Sequence, residues 1–193
     1  MPVLNEQQLS ELGFKKLGRN VRISDKASIY NAANIAIGDN VRIDDFAVLS
    51  AGAGGITLGS HIHIAVYTSL IGAGAIVIDD FANLSSKVSI YSSSDDYSGE
   101  TLTNPCIPDC YKSVTHADVR IMKHVIIGCG SVVLPGVSVS EGVAIGALSL
   151  VNKDCQPFNI YAGVPAKLVK GRKKKLLQLE QDFLKEYSCV QNK

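Results

Sequence analysis

The sequence predicts an all-β chain: a left-handed parallel β-helix of about six coils, with a long loop from the fourth coil, a short N-terminal helix and a C-terminal helix. Three observations lead there. From Ile121 an aliphatic residue returns at every sixth position, as Ile127, Val133, Val139, Ile145 and Val151. A helical face recurs at about 3.6 residues and a half-buried strand at about 2, so this period belongs to a repeat. Four positions after each member the residue is again small or branched: Val125, Ser131, Val137, Val143, Ser149 and Cys155. Two inward positions and a corner per hexad make one side of a triangular coil. The third observation is that residues in excess of the hexads always follow the third member of a triplet, which assigns the insertions to one corner. Crossings in such coils are left-handed, against the rule for ordinary parallel crossovers.

The elements follow in order. Residues 5–12 predict a helix, with Asn5 as cap, Gln8 completing a capping box, Leu9 and Leu12 as apolar face and Gly13 as stop. It is expected to cap the coil end. The register then runs through Leu17, Ile23 and Ile29; Ile37, Ile43 and Leu49; Leu58, Ile64 and Leu70; and Ile78, Leu84 and Ile90. Ala51–Gly55 is glycine-rich but falls at the insertion corner and leads into no helix, so it reads as a turn. The same corner expels a long excursion over 92–118 before Ile121 re-enters the register for two more coils. A loop of that length within a repeat is usually functional. The chain leaves the coil at Pro157, continues as a Gly/Pro-punctuated exit strand from Tyr161 to Lys170, and ends in a helix from Arg172 to Tyr187 expected to cover the open end. The divisions are thus a helical cap over 1–16, the coil over 17–156 with its loop, and the exit strand and helix over 157–193.

Composition narrows the function. A formal net charge of +1 and 6% aromatics with no Trp give no nucleic-acid surface, and no apolar run approaches membrane-spanning length. With no leader pattern at the N-terminus, a cytoplasmic protein acting on small molecules is expected. The five cysteines, Cys106, Cys110, Cys129, Cys155 and Cys189, show no paired metal-ligand spacing and read as buried or loop thiols, so no metal is expected.

The hexads, the single long loop and the exit Ala162-Gly-Val-Pro-Ala-Lys167 together resemble the hexapeptide-repeat acyltransferases that use an acyl-CoA donor. The loop segment Ser92-Ser-Ser-Asp-Asp-Tyr-Ser-Gly-Glu-Thr-Leu-Thr-Asn-Pro105 is similar to that of sugar-acting members in surface-polysaccharide pathways, above all the N-acyltransferases of nucleotide-linked 4-amino-4,6-dideoxyglucose. The galactoside O-acetyltransferases are near relatives. The resemblance implies a homotrimer with active sites in clefts between neighbouring subunits.

Where those O-acetyltransferases carry a catalytic His, at the end of the hexad that begins at Ile90, this chain has Asp95. A carboxylate with a pKa of about 4 is a poor base for a sugar hydroxyl. A neutral amine already presents a lone pair, so the exchange favours N-acylation. Asp96 serves equally as a second acid or as a turn cap. His63 belongs to an outward column, Arg22, Arg42, His63, Asn83, Ile126 and Ala144, and is the alternative base of an O-acetyltransferase. Arg42, Asn83 and Tyr97 are candidate acceptor contacts, and Ser85, with Ser86, a hydrogen-bonding partner of the acceptor amine. His116 and His124 read as surface residues without a role. A covalent Cys or Ser mechanism is disfavoured, because Cys129 falls in an ordinary hexad slot and Cys155 in an inward one. For the donor, the resemblance places the pantetheine arm along Gly128, Gly146 and Ala147, with Ala162 and Gly163 at the exit. Lys167, Lys170 and Arg172 to Lys175 are candidates for the CoA phosphates. A catalytically silent trimeric β-helix that binds a metabolite is the reading from another class.

Overall fold

The computed structural model describes residues 2–191, with side chains described to Tyr187. The hexads form a triangular prism of stacked parallel strands. Its first sheet stacks Lys16–Leu17, Ile35–Ile37, Ile56–Leu58, Ile76–Ile78, Val119–Ile121 and Ser138–Val139. The second begins at Arg22–Ile23 and rises through Arg42–Ile43, His63–Ile64, Asn83–Leu84 and Ile126–Ile127 to Ala144–Ile145. The third runs from Ser28–Tyr30 through Val48–Ala51, Ser69–Gly72, Ser89–Tyr91 and Val132–Val133 to Leu150–Val151. The predicted register holds at every layer: Leu17, Ile37, Leu58, Ile78, Ile121 and Val139 are successive partners, as are Ile23, Ile43, Ile64, Leu84, Ile127 and Ile145.

These aliphatics fill the prism. Ile37, Ile43, Leu49, Ile64, Leu70, Leu84, Ile90, Ile127 and Val133 are wholly buried, and so are the offset positions Val143 and Ser131. Each large aliphatic contributes about 1.5–3 kcal/mol by leaving water, so the stack itself holds the coil. Buried Ser131 and Ser149 both donate to the carbonyl of Gly146, at 2.9 and 2.7 Å, which satisfies the polar atoms that replace aliphatics in the last coils.

Helix α1 spans Glu6–Glu11, with Asn5 and Gln8 forming the expected reciprocal capping box and Gly13 at φ +67° ending it. Leu9 is buried in the core, with Leu4 and Phe14 partly buried against it. At the other end the exit segment is a hairpin rather than one strand: Asn159–Ala162 adds to the second sheet and Lys167–Gly171 folds back antiparallel on it. The excursion of 92–118 is also less irregular than expected. Ser93–Ser94 pairs antiparallel with Thr115–His116 at its base, and a short 3-10 turn lies at Asp109–Tyr111.

Two expectations are corrected. Helix α2, Lys175–Gln191, starts three residues later than predicted and does not close the coil end. It lies along the corner between the first and second sheets: Phe183 meets His61 and Phe81 edge-on, and the Tyr187 hydroxyl lies 3.2 Å from Asn40 Oδ1. The solenoid end is closed instead by the hairpin, through hydrogen bonds such as Ala166 N to Leu150 O. His124 is the second correction, since its side chain is only 9% exposed, stacks on Phe81 and bonds to Glu180 at 2.7 Å.

Candidate active site

The corners without insertions turn through left-handed residues, at the first corner in every layer and at the second in every layer after the first. At the first corner, between the first and second sheets, these are Asn20, Asn40, His61, Phe81, His124, Gly142 and Phe158, with φ between +53° and +66°. At the second corner, between the second and third sheets, they are Phe46, Tyr67, Lys87, Gly130 and Leu148, with φ between +56° and +70°. The third corner carries the insertions and the loop.

The second sheet and second corner gather most of the predicted acceptor residues. Arg42, His63 and Asn83 are consecutive partners on adjacent layers. They meet through a residue that sequence reasoning missed, Asp44. Arg42 Nε donates to Asp44 Oδ1 at 2.6 Å, His63 Nε2 lies 2.8 Å from Asp44 Oδ2, and His63 Nδ1 lies 3.2 Å from Asn83 Oδ1. Burial alone would raise the Asp44 carboxyl, but the bonds from His63 and Arg42 hold it below its usual range. Both ring nitrogens of His63 are therefore engaged within the chain. The signal for Asp44 was present in the sequence: the residue after the inward aliphatic is Ser24, Ala65, Ser85, Gly128 or Gly146 in other layers, and only here a carboxylate.

Ser85 stands at the second corner one layer above Ala65, half-buried. Its carbonyl accepts from the buried Thr68 hydroxyl at 3.2 Å, while its own hydroxyl has no side-chain bond among the described residues. Above it the corner narrows to small residues. A Cβ on Gly128 would lie 2.5 Å from Ala147 N, and one on Gly146 would lie 2.9 Å from Ala162 Cβ, so the stacking of coils itself demands glycine here. Beyond them Ala147 and Gly163, the latter at φ +104°, are exposed.

Asp95 is elsewhere. It follows the ribbon at the third corner and is exposed, with Tyr97 beyond it at 93% exposure. Asp96 caps its own turn, accepting from Ser98 N at 2.8 Å, Thr101 N at 2.9 Å and the Thr101 hydroxyl at 3.0 Å. These bonds, those to Ser98 first, hold its carboxyl at about 2. Within one chain the loop aspartates thus stand on a different corner from Ser85 and His63. His116 lies across the ribbon, 2.8 Å from the Ser93 hydroxyl.

The basic cluster forms a 580 Å³ cleft lined by Ile160, Lys170, Gly171, Arg172, Lys173 and Lys175 together with Leu176. Arg172 turns one nitrogen inward: Nη1 donates to the carbonyls of His124, Gly142 and Val143. Lys167, Lys170, Lys173 and Lys175 are exposed around it. Cys155 is buried, and its thiol is pushed to about 11 by burial and by Asp154, which makes it a poor nucleophile. Cys106, Cys110 and Cys129 are exposed, and the side chain of Cys189 lies outside the described residues. Among the described residues no three metal-ligating side chains converge, and no helix is long and apolar enough to cross a membrane.

No family model matches the chain. It is 57% identical, over 183 residues and 95% of each chain, to the dTDP-4-amino-4,6-dideoxy-D-glucose acyltransferase of Escherichia coli. It superposes with a TM-score of 0.93 on AntD, an N-acyltransferase from Bacillus cereus solved with dTDP and 3-hydroxybutyryl-CoA, at 46% identity over 97% of this chain and 100% of that one. A serine variant of AntD, solved with dTDP-4-amino-4,6-dideoxyglucose and coenzyme A, superposes at 0.92 with 46% identity over 96% and 98% of the two chains. Other AntD structures alter an aspartate ten residues after that serine.

Proposed function

Because this chain belongs to the dTDP-4-amino-4,6-dideoxyglucose acyltransferases, we propose that it transfers an acyl group from an acyl-CoA to the amino nitrogen of a dTDP-linked 4-amino-4,6-dideoxy sugar, as a homotrimer whose sites lie between subunits. The observation that carries the reading is an aspartate, in place of the histidine of the O-acetyl enzymes, on a loop that stands at another corner from Ser85. The altered serine and aspartate of AntD have the same ten-residue separation as Ser85 and Asp95.

The chemistry follows from the groups present. The amine attacks the thioester carbonyl directly, and a C–N bond forms as the C–S bond breaks. Asp95, from a neighbouring subunit's loop, orients the amine and takes the proton it loses, which ends on the departing sulfur. The free Ser85 hydroxyl and backbone N–H groups of the corner hold the oxyanion. Gly128, Gly146, Ala147, Ala162 and Gly163 leave room for the pantetheine arm, and Lys167, with the cleft around Lys170 and Arg172, receives the CoA phosphates. Arg42, Asn83 and Tyr97 border the acceptor. His63 is held between Asp44 and Asn83, which favours a structural part in that border over a base for O-acetylation. Asp96, with its oxygens spent on Ser98 and Thr101, shapes the loop beside Asp95.

The test is thiol release from acetyl-CoA and 3-hydroxybutyryl-CoA, with product masses, on dTDP-4-amino-4,6-dideoxyglucose and on a simple galactoside. Release with the amino sugar and one added acyl group is expected. Release with the galactoside alone would return the chain to O-acetylation.

A further inference from the structure

The third corner carries more bonding than the coil alone requires. The insertion of the layer below, residues 72–75, is tied to both legs of the long loop above it. Ala73 N donates to the Ser93 hydroxyl of the outgoing leg at 2.7 Å, and Ala75 N donates to Asp118 Oδ1 of the returning leg at 2.8 Å. The hydroxyl of the buried Ser92 donates to Gly74 O at 2.7 Å, and Ala117 N joins the legs by donating to Ser92 O at 3.0 Å. The two layers approach so closely that a Cβ on Gly72 would collide with Ser92 Oγ. Above these pins the antiparallel ribbon is two residue pairs long, Ser93 with His116 and Ser94 with Thr115. So short a ribbon holds its register poorly by backbone bonds alone.

We infer that His116 is a positioning residue for Asp95, a reading that rests on Asp95 acting as the base proposed above. The exposed His116 ring reaches across the ribbon and places Nδ1 2.8 Å from the Ser93 hydroxyl, whose other bond is the one from Ala73 N. Layer below, outgoing leg and returning leg are thus joined through one hydroxyl. Asp95 follows two residues after Ser93, and beyond it the chain is fixed again where Asp96 accepts from Ser98 N and Thr101 N. The Asp95 carboxylate itself has no hydrogen bond among the described residues, so its aim is set by these two anchors. A single exposed hydrogen bond adds little to global stability. Its local effect is larger, because a displacement of about 1 Å at a reacting group is enough to cost about 10²-fold in rate.

The experiment is a double-mutant cycle in steady-state kinetics on the full chain, with dTDP-4-amino-4,6-dideoxyglucose and whichever of acetyl-CoA and 3-hydroxybutyryl-CoA the native protein turns over. The variants are His116→Ala, Asp95→Asn, the two together, and His116→Asn, whose side-chain oxygen can stand in for Nδ1 towards Ser93. His116→Ala alone is expected to lower kcat by about 10-fold or more, with both KM values and the thermal midpoint unmoved. In the Asp95→Asn background the same change should cost nothing further, and His116→Asn should regain most of the native rate. An unchanged kcat in His116→Ala, an equal loss with and without Asp95, or a rise confined to the KM for the amino sugar, which would make His116 a substrate contact, would each overturn the assignment and leave Asp95 as the base. An Asp95→Asn variant as active as the native protein would remove both readings.

Discussion

The two uninterrupted corners of this prism share one backbone and serve opposite ends. Each stacks left-handed residues layer upon layer, and each places aromatic rings where glycine or asparagine would be more comfortable. At the first corner the rings are internal mortar: His61, Phe81 and His124 form a ladder, and α2 packs Phe183 and Tyr187 against it. Glu180 then locks the helix by pairing with His124 and Lys123. At the second corner Phe46, Tyr67 and Leu148 are left exposed, and the layers between carry Ser85 and the close-packed glycines. A repeat fold supplies equivalent corners at no extra design; α2 covers the first, and the second, left bare, is the one proposed as the site.

Changes around the bare corner should therefore alter activity and spare stability, while changes at the covered corner should do the reverse. The largest effect is expected for Asp95→Asn: steady-state kinetics should show kcat down by about 10²–10⁴-fold, with the KM for acyl-CoA little moved. Ser85→Ala should follow with a loss of about 10²-fold, its thermal midpoint unchanged. At the covered corner Phe183→Ala should cost about 2 kcal/mol in denaturant unfolding, less than a fully buried ring because Phe183 is 39% exposed, and leave kcat alone. A smaller effect, about 1 kcal/mol at neutral pH, is expected for Glu180→Gln. Burial raises the Glu180 carboxyl, but the bonds and charges of Lys123 and His124 bring it below its ordinary 4.5. A depressed acid stabilises fully above its unfolded value and loses that contribution as pH falls through the folded one. The gap between native and Glu180→Gln should thus close below pH 4.5 and stay open at pH 7. Smallest of all, Tyr67→Asn should shift stability by less than about 0.5 kcal/mol in the same unfolding experiment.

The coil was legible because its inward positions obey one period. Ile121 through Val151 mark every layer, and the insertions after Ile90 mark the loop corner without reference to any contact. What the period cannot encode is which outer surface a helix will choose. The apolar face of α2, with Leu176, Leu179 and Phe183, fits any apolar strip. Only the aromatic column His61, Phe81 and His124, spaced by one coil and the loop rather than by a hexad, pointed to the first corner. The site divides likewise. Asp95 and Ser85 could be singled out by position, and Arg42, His63 and Asn83 by their shared column. Asp44 was overlooked although it is the one carboxylate in a slot that is small in other layers, and Arg172, singled out as a phosphate contact, turns one nitrogen onto three carbonyls, an arrangement that depends on the hairpin that delivers it.

The central claim is that the loop aspartate of one subunit serves the bare corner of another, and complementation tests it most directly. Ser85→Ala and Asp95→Asn, each nearly inactive alone, would be co-expressed under separate tags, purified as mixed oligomers and assayed on the dTDP-linked amino sugar. If each site draws its serine and its aspartate from different subunits, random mixing restores roughly a quarter of the native sites. If the mixed oligomers are no more active than the separate variants, both residues act from the same chain, and the site cannot be shared as described.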